Sequence, residues 1–185
     1  MDYSFKNFQK NAIIRFLALD NYTYINERLY KIDVSKDKEY QTTFNSFFRV
    51  RRNEEWRKEF YNYFEIIKNR KNITFDEILD SIYKRTGNIE ASFCSKLLST
   101  INHNMPIIDQ YVLKNLNLKI KGNTKDDKLK STKEVYKELV KIEKEKLNNK
   151  DIKKAIDDFK NYFPEYNLSD IKILDYILWN TRDED

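Results

Sequence analysis

The chain has 185 residues, of which 40% are hydrophobic and 15% aromatic, enough to bury a sizeable core and too apolar for a disordered chain. Two glycines and two prolines are too few for a β-sandwich or barrel, and Gly87 and Gly122 alone cannot write a GxGxxG or Walker-type phosphate loop. The formal charge of +5 is spread unevenly, with 12 Lys/Arg against 7 Asp/Glu over residues 101–150 and 5 against 9 over residues 151–185.

A basic block of that kind attracts phosphate backbones. Abundant Lys, Asn, Ile and Tyr are also what an AT-rich genome writes, so charge leaves nucleic-acid binding and plain surface solvation both open. One cysteine, Cys94, and one histidine, His103, exclude an internal disulfide, a CxxC site and a His-based zinc site. The start, Met1-Asp2-Tyr3-Ser4-Phe5-Lys6, lacks the apolar core of a signal peptide, and no run of about 18 apolar residues occurs. The expectation is an intracellular, cytoplasmic protein that uses no metal or cofactor and spans no membrane.

Apolar residues recur at helical spacing almost throughout, with no convincing period-two strand, which predicts a single all-α domain over residues 1–185. Phe5, Phe8, Ala12, Phe16 and Leu17 form one face of a first helix ending near Asp20-Asn21, and Tyr24, Ile25, Leu29 and Tyr30 a short second segment. Tyr40, Phe44, Phe47 and Phe48 continue the pattern to Val50. Asn53 then reads as an N-cap before Glu54-Glu55 and a core face of Trp56, Phe60, Phe64 and Ile67.

Thr74-Phe75-Asp76-Glu77 is a capping box, stapled by Ile73 and Ile78, and its helix stops at Gly87. Asn88 is expected to cap the following helix, with Phe93, Leu97, Leu98 and Ile101 inward, so that the pair forms a tight hairpin. Asn104-Met105-Pro106 then leads to Ile107-Ile108-Asp109, where a carboxylate opens a further helix and meets the positive end of its dipole. Beyond a charged loop at Lys119–Asp127, a lysine- and glutamate-laced helix over Leu129–Leu147 turns Val135, Tyr136, Leu139, Val140 and Ile142 inward. Ile152, Ile156, Phe159 and Phe163 build the next helix, ended by Pro164, and a last one starts near Ser169 and frays at residues 181–185.

The Thr86-Gly87-Asn88 turn, the helix through Phe93-Cys94 to Ile101, and Met105-Pro106-Ile107-Ile108-Asp109 with Val112 resemble the helix-hairpin-helix DNA glycosylase superfamily. The block spans about residues 73–118. It looks nearer to the uncharacterised bacterial oxoguanine-glycosylase-like branch with an "SF-x-SK-x-L … P-I-x-D" pattern. The resemblance implies a protein that bends DNA, extrudes a base and cleaves its N-glycosidic bond, with Asp109 stabilising positive charge on the sugar.

Three departures bear on that implication. Only Gly87 remains of the two hairpin glycines, Ile89 or Glu90 standing in for the other. No lysine lies between Glu90 and Ser92, where the attacking lysine of some members falls, so a Schiff-base lyase is not implied. Pro106 stands one residue further from Asp109 than in the family loop.

Each candidate also has a plainer reading. Asp109 is either the catalytic carboxylate or an ordinary cap. Lys96 is a phosphate contact, a desolvated nucleophile or a solvated lysine; Ser92 and Ser95 are contacts to phosphate or to the Asp109 loop, or bystanders on a helix surface. His103 and Asn104 lie in the loop beside Asp109, where a histidine suits proton transfer or is incidental. Arg49, Arg51 and Arg52 precede the Trp56 helix, with Tyr61 and Tyr63 nearby, and suit a nucleic-acid contact; the alternative is pairing with Glu54, Glu55 and Glu59. Cys94 and Trp179 read as core.

The leading expectation is therefore a DNA-binding protein with a glycosylase-like core, its backbone contacts from Arg49, Arg51, Arg52, Gly87, Ser92, Lys96, His103 and Asn104. Two rivals stand beside it: a non-catalytic DNA-binding module that lost the hairpin glycines, and a helical protein-interaction factor from a mobile element or defence locus. A helical RNase of the Arg-x4–6-His type is set aside, because Lys96 rather than an arginine stands upstream of His103 in that range.

Overall fold

A computed structural model describes residues 12–180, and these contain nine helices and no strand. The helices are α1 (Ala12–Leu29), α2 (Lys38–Phe48), α3 (Glu54–Ile67), α4 (Phe75–Thr86), α5 (Ala91–Ile101), α6 (Gln110–Asn115), α7 (Lys125–Lys146), α8 (Lys150–Tyr162) and α9 (Asp170–Asn180). Residues 14–102 form one compact unit, and the described residues from His103 onward belong to another. Phe5 and Phe8, expected on the first helix, and the tail expected to fray at residues 181–185 lie outside the described residues.

In the first unit, α1 does not stop at Asp20-Asn21 but runs on to Leu29. Leu19, Tyr22, Ile25 and Leu29 are all buried, at steps of three, three and four that keep them on one helix face. Burial of that stripe outweighs the weak helix propensity of Asp and Asn, which costs at most about 0.7 kcal/mol per residue. Asp37 caps α2 by accepting the Tyr40 N–H at 2.9 Å. The helix ends at Arg49 in the left-handed conformation (φ 54°, ψ 46°), with the Val50 N–H returning to the Asn45 carbonyl at 2.9 Å and Val50 itself buried. An arginine there costs roughly 1–2 kcal/mol against a glycine.

Asn53 caps α3 as the sequence indicates. Phe44 sits at the centre of the aromatic core, its ring centroid 4.6 Å from Phe48, 5.9 Å from Phe60 and Tyr61 and 5.7 Å from Phe64. Edge-to-face and tilted contacts of this kind each add about 0.5–1.5 kcal/mol to what area burial supplies. The Thr74/Glu77 capping box on α4 forms both of its reciprocal bonds, and Gly87 takes φ 69° at the C-terminus. Nothing lies within 4 Å of a Cβ built at Gly87, so backbone conformation, not space, asks for glycine.

α4 and α5 form the expected hairpin, joined by residues 87–90. Asn88 does not cap α5. The helix begins at Ala91 with no side-chain cap; Asn88 turns back instead, its Nδ2 donating to the Thr86 carbonyl. In the second unit α9 lies against α6, α7 and α8. Ile108, Val112, Leu139, Ile152, Phe159, Ile173, Leu174 and Leu178 are buried there, and α8 stops ahead of Pro164. Gly122 lies so near the start of α7 that a Cβ would meet the Lys128 nitrogen at 2.6 Å.

Thr74→Ala is expected to lower stability by about 1 kcal/mol, and Thr74→Ser by only a few tenths. Thermal unfolding followed by circular dichroism checks this: a melting point about 2–4 °C lower for Thr74→Ala alone is the expected result. Equal melting of all three forms would mean that the box contributes nothing.

Candidate nucleic-acid interface and aspartate loop

The segment from His103 to Asp109 forms no regular structure, and Pro106 removes one backbone donor. Its backbone groups are met by side chains of α7, of α9 and of the residue just before α9. Ser169 Oγ donates to the His103 carbonyl at 2.5 Å, the buried Tyr136 hydroxyl to the Pro106 carbonyl at 3.0 Å, and the Ile107 N–H to Asp175 Oδ1 at 3.3 Å. Asn115 Nδ2, at the far end of α6, donates to the Leu178 carbonyl of α9 at 2.7 Å.

Asp109 is thereby delivered to the N-cap of α6, as the sequence indicates. One carboxylate oxygen accepts the Tyr111 N–H at 2.8 Å, and the side chain is half-buried. Its other oxygen has no hydrogen-bond partner among the described residues. His103 and Asn104 are exposed on the same loop. An open groove of about 550 Å³ nearby in sequence is lined by Leu118, Lys119, Lys121, Glu134, Val135 and Glu138; Asp109 is not part of it.

Beneath the loop lies a charged cluster that sequence reasoning missed. Asp175, Lys172 and Glu143 are 6%, 3% and 0% exposed, and Lys172 Nζ stands 4.0 Å from Asp175 Oδ2. Both Glu143 oxygens and Asp175 Oδ2 are buried without a hydrogen-bond partner. Burial pushes the Asp175 carboxyl from its ordinary 3.8 up to about 7; Lys172 and the Ile107 N–H oppose the shift and the Asp109 charge adds to it. Burial, reinforced by the Asp175 charge, holds Glu143 well above its usual range against Lys172 and Lys146. Burial also draws Lys172 below 10.5, against the pull of both acids. One ammonium stands against two buried carboxylates, and both acids are accordingly pushed toward holding their protons. The signal was present: Glu143 follows Val135, Tyr136 and Leu139 at steps that keep it on the inward face of α7, and Asp175 stands between Ile171 and Leu178 at steps of four and three.

The arginines and the hairpin belong to the first unit. Arg52 makes a bidentate pair with Glu90, Nε to Oε1 at 2.9 Å and Nη2 to Oε2 at 3.0 Å, which raises the guanidinium pKa further. Glu90 is only 6% exposed, so removing its partner would leave a buried acidic side chain unpaired. Lys96 donates to the Phe48 carbonyl at 3.1 Å, and its ammonium and the Arg52 guanidinium lie 5.3 and 5.5 Å from the Phe93 ring centre. Arg52 and Lys96 therefore tie α5 to the end of α2 and the start of α3, Arg52 doing so while its side chain stays exposed.

Ser95, expected at the surface, is buried and donates to the Ser92 carbonyl at 2.9 Å, while Ser92 is half-buried. The alternative of pairing with Glu54, Glu55 and Glu59 gives way at Arg52 to Glu90, and Glu59 is met by Arg85 at 3.2 Å. Trp56, Tyr61 and Tyr63 are buried, and Tyr61 donates to Asn45 Oδ1 at 2.7 Å, so these rings offer no stacking platform for bases. Arg49 and Arg51 are the exposed members of the basic loop that carry no such internal pairing.

No family model matches the chain, no curated protein matches it and no solved structure matches it. Among the described residues no helix is long and apolar enough to cross a membrane, and no three His, Cys, Asp or Glu side chains are grouped to hold a metal ion.

The cluster gives stability a defined pH dependence. An acid whose folded pKa is raised favours the folded state fully below its ordinary value, and loses that contribution as pH climbs through the folded value. For Asp175 the window is 3.8 to about 7; Glu143 loses in the same direction above its ordinary 4.5. Lys172 works oppositely in the window below 10.5. Glu143→Gln removes one of the raised acids, so its stability relative to wild type is expected to improve from pH 5 to pH 8. Paired melting curves at the two pH values read the gap, at roughly 2–4 °C per kcal/mol for a chain of this size. A gap independent of pH would show that Glu143 keeps no proton.

Proposed function

We propose that this protein binds DNA and acts as a monofunctional base-excision glycosylase, cleaving the N-glycosidic bond of an extruded base, with Asp109 offsetting positive charge that develops on the sugar. The observation that supports this best is the loop that presents Asp109. Capping a six-residue helix needs only a local side chain. Here the preceding loop is also fixed by Ser169, Tyr136 and Asp175, three side chains distant in sequence, so the carboxylate is positioned before any ligand arrives. One oxygen is spent on the Tyr111 N–H, which sets the orientation of the group, and the other remains to face a cationic sugar.

The hairpin contributes the Gly87 turn, and Arg49 and Arg51 are exposed side chains of a type suited to phosphate contact. Arg52 and Lys96 act in this reading by shaping the hairpin, given their contacts with Glu90 and the Phe48 carbonyl. A second reading, DNA binding without catalysis, is favoured by that internal use of Arg52 and Lys96 together with the single hairpin glycine.

Duplexes carrying uracil, oxoguanine or alkylated bases separate the two readings. Base release from one of them, falling about 10²–10³-fold in Asp109→Asn, is the expected result. Retardation of the same duplexes with no release, equal in wild type and Asp109→Asn, would leave only the binding reading. Arg49→Gln with Arg51→Gln is expected to weaken binding and to flatten its salt dependence by about two in log–log slope, one for each arginine–phosphate pairing removed.

A further inference from the structure

The three side chains that hold the His103–Asp109 loop differ in one chemical respect. Ser169 and Tyr136 use hydroxyl groups, donated to the His103 and Pro106 carbonyls. Neither hydroxyl gives up its proton near neutrality, and burial lifts Tyr136 well above its ordinary 10.0. The third holder is a carboxyl group: Asp175 Oδ1 accepts the Ile107 N–H, two residues ahead of Asp109. At 3.3 Å this bond is longer than the usual N–H···O distance of about 2.9–3.0 Å, so its strength leans on the charge of the acceptor.

Asp175 is buried and meets charge from several sides. Lys172 of the same helix stands 4.0 Å from Oδ2, Glu143 and Tyr136 adjoin from α7 with Lys146 beside Glu143, and Asp109 acts from the loop. The buried faces of α6 and α8, which also pack on α9, are apolar: Val112 on the one, Ile152, Ala155, Ile156 and Phe159 on the other. Burial is the largest influence and brings Asp175 to about 7. The Ile107 N–H pulls it back toward ionisation, more strongly than the Asp109 charge on the same loop opposes. Linkage makes that pull reciprocal: a loop contact that favours the ionised carboxylate is itself favoured by ionisation.

We propose that Asp175 is a proton-operated latch on the Asp109 loop. Ionised, its carboxylate grips the Ile107 N–H and holds the loop against α9; protonated, it keeps a weaker, neutral contact and the loop loosens. Asp109 is thereby placed firmly above neutrality and released below it. Ionising a buried acid costs the fold stability, yet here it tightens one bond, so loop and fold answer pH in opposite directions. A general softening would move both together. The latch rests on the Ile107 contact and not on base excision; in the glycosylase reading Asp175 becomes a positioning residue that acts through the loop.

The test follows amide resonances of the isotope-labelled full-length chain from pH 5 to pH 8.5, together with the side-chain carboxyl carbon of Asp175. The Ile107 amide proton is expected to move downfield with a midpoint near 7 that coincides with the Asp175 carboxyl. Its protection from solvent exchange is expected to rise about three- to tenfold over that range, the factor that half to one unit of linked pKa supplies. Over the same range the stability of wild type relative to Asp175→Asn is expected to decline. Asp175→Asn keeps an acceptor oxygen but no titrating proton, so the Ile107 titration is expected to vanish. Asp109→Asn keeps a good N-cap and removes a charge that raises Asp175, so the shared midpoint is expected to move to lower pH. That second variant carries the test if Asp175→Asn does not fold.

An Ile107 amide indifferent to pH, or protected less as pH rises, overturns the latch. So does a titration that persists in Asp175→Asn, which would belong to His103, the histidine of the same loop. A midpoint unmoved in Asp109→Asn overturns it too. These outcomes leave the base-release experiment untouched, and absence of base release leaves the latch standing, so the two proposals fail separately.

Discussion

A loop without secondary structure must find partners for its backbone elsewhere, and the His103–Asp109 loop finds them in side chains of α7, in α9 and in the residue that precedes α9. The contact with Asp175 matters most, because a buried carboxylate accepting a backbone N–H is held by burial as much as by the bond. Glu143 and Lys172 share that interior. The position of Asp109 is thus coupled to a charge balance beneath it, and two acids sharing one base leave little room for a change of side chain at any of the three positions.

The first unit solves a different problem. Its aromatic core centred on Phe44 supplies the mass of contacts, but the α4–α5 hairpin is tied down by polar groups that span long stretches of chain. Arg52 reaches Glu90 across 38 positions and Lys96 reaches the Phe48 carbonyl across 48. Both are basic residues that a reader of the sequence would assign to solvent or to a ligand. Their internal partners explain why the hairpin keeps its geometry although α5 begins without a side-chain cap.

Local signals were legible in the sequence. The Thr74/Glu77 box, Gly87, the Asn53 cap and Asp109 at a helix start are set by atoms within four residues, so spacing alone reveals them. The α1 boundary was misread, since Asp20 and Asn21 disfavour a helix only weakly and a buried stripe carries the helix past them. The arginine loop was half legible: its exposure at Arg49 and Arg51 follows from sequence, whereas the Glu90 partner of Arg52 and the burial of Trp56, Tyr61 and Tyr63 are tertiary facts. The Glu143–Lys172–Asp175 cluster left a trace, charges standing on otherwise apolar helix faces, that an eye trained on exposed motifs passes over.

On α7, Lys130, Lys133, Lys137, Lys141 and Lys144 share one side, and Glu134, Glu138 and Glu145 form a row beside them, joined to it by the 3.9 Å Lys141–Glu138 pair. Opposite charges four residues apart, Lys130 with Glu134 and Lys141 with Glu145, offset the like-charge pairs within each row, so a long helix keeps one densely charged side in water without losing its winding.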